Sequence, residues 1–101
     1  MYKVVYLPTA RKQLEDAVMY IAIDLCAPDA AMNLADEVDQ AVQKLKEMPY
    51  RFPIYHTLYA MKHEIRFFLV KNYNVYYVVD EATKTVEIWR VLHRLQKQNR
   101  C

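Results

Sequence analysis

Residues 64–95 read EIRFFLVKNYNVYYVVDEATKTVEIWRVLHRL, and this stretch decides the fold. Ile, Val, Phe, Tyr and Trp dominate it, the side chains that suit a pleated, half-buried surface. It divides into three strands, at 64–70, 73–80 and 85–93. Lys71 and Asn72 separate the first two as a two-residue hairpin turn, with Asn72 the residue that tolerates positive φ. The polar run DEATK at 80–84 makes a longer hairpin loop. Strands this close in sequence pair antiparallel, because a parallel return needs a long crossover. Along the second strand Tyr73, Val75, Tyr77 and Val79 share one face, and Tyr76 and Val78 the other. A sheet covered on one face alternates more cleanly than this. The second face is therefore either partly closed by the irregular segment at 50–62 or used to bind something. Four basic groups interrupt the ribbon: Arg66, Arg90, His93 and Arg94.

Upstream, residues 2–7 form a short strand ended by Pro8, and Thr9 stands where a helix N-cap belongs. Ala10, Leu14, Ala17, Val18, Ile21 and Leu25 then recur at three- and four-residue steps, which predicts a helix to about Cys26 and Ala27. Pro28 suits the first position of a second helix, where its missing N–H costs nothing. Its apolar stripe is Ala31, Leu34, Ala35, Val38, Ala41, Val42 and Leu45, and it should stop at Met48, before Pro49. Two amphipathic helices with so short a break form an antiparallel hairpin, and neither can bury its stripe alone. The expected fold is α+β, in the order β-α-α-β-β-β, with the helix hairpin packed on a mainly antiparallel four-stranded sheet. The seven residues from Leu95 onward are polar and form a frayed tail.

With 101 residues, 54% of them hydrophobic and 26% charged, residues 1–101 make one folded domain. The apolar runs are too short to span a bilayer, and no signal peptide is visible, so no membrane partner is expected. Two cysteines, Cys26 and Cys101, make no disulfide framework, and no Cys/His spacing suggests a metal or other cofactor. A reducing cytoplasm is the expected compartment. Charge is unevenly spread. Residues 1–50 hold 5 Lys/Arg against 8 Asp/Glu; residues 51–101 hold 9 against 4, along with all three histidines. A polyanion or an acidic partner segment would meet the sheet end, not the helices.

The order of elements, with YLPTA at 6–10, LKEMP at 45–49, Arg66 followed by YNVYYVVD at 73–80, and WRVLHR at 89–94, resembles the RelE/ParE superfamily of toxins from bacterial type II toxin–antitoxin systems. The resemblance covers essentially the whole chain. It implies a small stable toxin neutralised by a cognate antitoxin, which would lay an amphipathic segment over an apolar sheet or helix surface. It also implies one of two targets: ribosome-bound mRNA, cut by the RelE branch, or DNA gyrase, poisoned by the ParE branch. The shared fold does not choose between them. A member that retains only antitoxin binding is a third reading.

Metal-free RNA cleavage needs a base for the 2′-OH, cations for the phosphorane charge and an acid for the leaving oxygen. The resemblance implies Arg66 as a phosphate clamp, a role its forked donors suit. It implies His93 as general acid, since an imidazole titrates near neutrality, and Arg94 as a second cation. Lys62, Tyr73 and Arg90 are the candidate substrate contacts, with Tyr73 able to stack a base. Glu64 or His63 could supply the base. Each has a structural alternative. Arg66 can serve as an ion-pair partner inside the sheet, His93 as a strand-end residue bonded to backbone, and the tyrosines as core aromatics. The basic patch before the ribbon is thin, with Lys62 alone among His56, His63 and uncharged neighbours.

Overall fold

A computed structural model describes residues 1–56 and 63–95. The elements are β1 (Lys3–Tyr6), α1 (Pro8–Met19), a π-helical turn (Tyr20–Asp24), α2 (Pro28–Leu45), β2 (Ile65–Val70), β3 (Tyr73–Asp80) and β4 (Thr85–His93). The sheet order is β1-β4-β3-β2. β2 and β4 flank β3 antiparallel, while β1 runs parallel to β4. The expected α+β order and helix-on-sheet layering are borne out.

The two helices cover one face. Ala10, Ala17, Leu34, Val38, Val42 and Leu45 pack there against Val75, Tyr77, Val86, Ile88 and Val91, all buried. Full burial of a Val, Leu or Ile side chain contributes about 1.5–3 kcal/mol, so this layer holds the domain together. The α2 stripe read from sequence supplies every buried residue of that helix. Tyr73, Val75 and Tyr77 belong to this core, whereas Tyr76 and Val78 face away, with Ile65. On that second face Tyr55 sets its ring edge-on to both Phe67 and Tyr76, while Ile54 pairs with Arg66 along the open edge of β2. Tyr55 thus roofs part of the second face, the first of the two alternatives left by the sequence.

Local details differ from expectation. α1 begins at Pro8, with Leu7 at the cap and no side-chain capping bond. Pro8 takes the first helical position because it has no N–H to satisfy there, which leaves Thr9 inside the first turn. The helix does not run evenly to residue 26: its last turn is π-helical, and Cys26 then adopts φ 51° to turn the chain. α2 ends at Leu45, and Met48 N–H closes back on the Lys44 carbonyl. In the β2–β3 turn the positive φ falls on Lys71, not Asn72. Without a single glycine, ordinary residues must take these left-handed positions.

β4 is also interrupted. Its register against β3 slips between Tyr76, opposite Arg90, and Tyr77, opposite Ile88, so Trp89 is an extra residue in the strand. The Gln13 side chain reaches from α1 and accepts the Val91 N–H at 2.8 Å. Gln13→Ala removes that acceptor. Because Gln13 lines an open groove, water can enter in its place, and the expected loss is only on the order of 1 kcal/mol. Urea denaturation checks this; an unchanged midpoint would mean the bulge needs no cap.

Candidate functional site

Arg66 lies on the helix-covered face at the β2 end of the sheet, opposite Tyr77. Its Nη1 donates to the Phe52 carbonyl at 2.7 Å and more distantly to the Tyr50 carbonyl. Its Nη2 lies 3.5 Å from the Glu64 carboxylate, and its guanidinium sits 5.1 Å over the Tyr50 ring. Only 16% of the side chain is exposed. The guanidinium therefore ties the 50–52 backbone to the sheet, the ion-pair alternative read from sequence.

His93 lies elsewhere. It faces Tyr73 across the β3–β4 ladder with ring centroids 5.2 Å apart, edge to face. Its Nδ1 accepts the Leu95 N–H at 3.2 Å. Counted along β3, Tyr73 and Tyr77 are four residues apart, roughly 13 Å at strand rise. Arg66 and His93 also lie on opposite flanks of β3, with buried Phe68, Val75 and Tyr77 in the core they share. Arg94 is close to His93 but bonded to the β2–β3 turn: its N–H reaches the Asn72 carbonyl at 2.7 Å and its Nε the Asn72 side chain at 3.1 Å. Arg90 stands opposite Tyr76, on the other face of the sheet, and is exposed. Glu64 belongs to Arg66, and His63 lies edge-on to Trp89. Lys62 lies outside the described residues. The structure thus brings His93, Arg94 and Tyr73 together at one end of the sheet, and holds Arg66 and Arg90 apart from them.

Beside His93 runs a groove of ≈ 540 Å³, walled by Gln13, Asp16, Ala17 and Tyr20 on the helix side and by Tyr73, Val91, Leu92, His93 and Leu95 on the sheet side. Tyr73 itself is buried, and burial raises its phenol above the ordinary value. It forms part of the groove wall.

A second cluster has no counterpart in the sequence reading. The Glu81 carboxylate, in the β3–β4 loop, accepts hydrogen bonds from the Tyr2 and Tyr50 hydroxyls and from Lys84. It ties together the chain start, the segment after α2 and the sheet. These bonds, Tyr2's first, hold Glu81 down at about 2, while the bond to Glu81 pushes Tyr50 up to about 12. The residues lie 79 and 31 positions apart from Glu81, so no local pattern could have announced them. The sign follows from linkage. Glu81 is lowered on folding, so its contribution is complete above about 4.5 and is lost as pH falls toward 2. Tyr50 is raised, so its contribution is complete below about 10 and is lost as pH climbs toward 12. Glu81→Gln should therefore flatten the acid side of the melting-temperature profile between these limits relative to wild type. Melts followed by circular dichroism test this, and parallel profiles would exclude it.

This two-helix hairpin on a four-stranded sheet of order β1-β4-β3-β2 shares its fold with chains of two solved toxin–antitoxin systems. Residues 4–98 match the family described as ParE toxin of type II toxin-antitoxin system, parDE, and the chain belongs to that family. Among solved structures it resembles the chromosomal ParDE toxin–antitoxin system from P. aeruginosa (TM-score 0.72, 14% identity, 92% of this chain and 96% of that one). It also resembles the toxin–antitoxin complex RelBE2 from Mycobacterium tuberculosis (TM-score 0.63, 26% identity, 92% and 98%). No curated protein sequence matches it significantly. By family the chain is a toxin of a type II toxin–antitoxin system. Among the described residues no helix is long and apolar enough to cross a membrane.

Proposed function

We propose that this toxin arrests growth by binding DNA gyrase, without cutting RNA, and that its cognate antitoxin holds it inactive. The observation that carries this reading is the engagement of Arg66. Its guanidinium already serves the Phe52 and Tyr50 carbonyls and Glu64, and it stands well removed from His93. A phosphoryl-transfer site needs its clamp and its acid within reach of one phosphate. The ParE family match supports the same branch.

The second reading, ribosome-dependent mRNA cleavage, draws on His93, Arg94 and Tyr73 lying together. One pair of assays separates the two. Purified toxin should block plasmid supercoiling by gyrase while mRNA in a translation reaction stays intact. Cut, ribosome-bound mRNA, with cutting lost in His93→Ala, would reverse the assignment.

A further inference from the structure

Large apolar side chains left exposed are mostly scattered, except at the tip of the helix hairpin. Met19, Tyr20, Ile23, Leu25 and Met32 are each 50–64% exposed, and all fall within residues 19–32. None of the five residues of the π-helical turn is buried. Soluble domains rarely leave such a concentration without a partner, and π turns inside helices are frequent at functional sites.

The surrounding charge selects the partner. Beside this tip stand Asp24 and Asp29, both exposed, and no Lys or Arg lies between residues 13 and 43; of the other acids in that stretch, Asp16 pairs with Lys12 and Glu37 with Lys71. An acidic segment would be repelled there and drawn to the basic sheet end. A cationic surface with an apolar centre is attracted, the charges steering it and the side chains holding it. An enzyme that handles DNA must line its DNA path with Lys and Arg to neutralise phosphates. We infer that the hairpin tip, centred on Ile23 and Asp24, is the surface with which this toxin docks on a cationic, partly apolar surface of its target enzyme. The inference rests on the gyrase reading and adds to it the toxin's contact surface and the chemistry of what it meets.

Ile23→Ser, Asp24→Lys and the double variant test it in the full chain, purified away from antitoxin. Both positions are exposed, so thermal melting should match wild type. Inhibition of supercoiling should weaken about tenfold in the double variant. Added salt should relieve wild-type inhibition more steeply than that of Asp24→Lys. Antitoxin binding, followed by calorimetry, should be unchanged. Variants that inhibit like wild type overturn the inference and leave the gyrase reading standing. Variants that lose antitoxin binding instead assign the tip to the antitoxin, which also overturns it. A wild-type toxin without effect on gyrase fails both.

Discussion

Tyr77→Ala should destabilise the toxin by about 3–5 kcal/mol, the range for removing a large buried aromatic ring. Tyr77 sits at the centre of β3, with 0% of its surface exposed, and packs against Phe68 beneath the helix hairpin. Its hydroxyl donates to the Pro49 carbonyl at 2.7 Å. Burial pushes the phenol up to about 12, so the group stays neutral and a donor across the physiological range. A domain of this size is stable by roughly 5–15 kcal/mol in total, so the alanine variant should lose a large share of its margin. Tyr77→Phe separates the two contributions. It keeps the ring and strands the Pro49 carbonyl, for an expected cost of about 1–3 kcal/mol. Denaturant midpoints of the two variants test the division, and a phenylalanine variant as stable as wild type would show that water satisfies Pro49 instead.

Tyr77 also shows what a sequence can announce. The alternation of Tyr73, Val75 and Tyr77 against Tyr76 and Val78 is set by the pleat, so the face of each could be read directly. The α2 stripe was legible for the same reason, because helical period and burial coincide. The first helix was legible only in outline. Its π-helical turn and the bulge at Trp89 each insert a residue without changing the composition, and the Gln13 bond that satisfies Val91 crosses 78 positions. The candidate site was legible residue by residue but not as a constellation. Arg66 and His93 sit on the same face of the sheet, yet which strand flanks which is fixed by pairing, and their separation appears only once β2 and β4 take opposite sides of β3. The exposed hairpin tip left a faint trace, in Met19, Tyr20, Ile23 and Met32 falling off the apolar stripes within a stretch free of lysine and arginine.

Arg66→Ala should lower stability by about 2–3 kcal/mol, the combined scale of charge-assisted bonds to carbonyls and a cation–π contact. The Phe52 carbonyl loses its 2.7 Å donor and the Tyr50 ring loses its cation. The exposed Glu64 loses a pair worth little at the surface. Phe52 stacks on buried Phe68, with centroids 4.7 Å apart, so loosening the 50–52 backbone also disturbs the core. Arg66→Lys should recover only part of the loss, because one ammonium cannot span two carbonyls and lie flat on the ring as a guanidinium does. The two readings of the toxin diverge here. If Arg66 is a structural clamp, gyrase inhibition by the alanine variant should fall only in step with its folded fraction, and raising antitoxin-free protein at lower temperature should restore it. If Arg66 clamps a scissile phosphate, mRNA cleavage should vanish at temperatures where the variant is fully folded. Folded fraction from urea titration, measured beside both activities in one buffer, decides between them: a folded and inactive nuclease would return Arg66 to the catalytic set, and an active gyrase inhibitor of reduced stability would keep it in the scaffold.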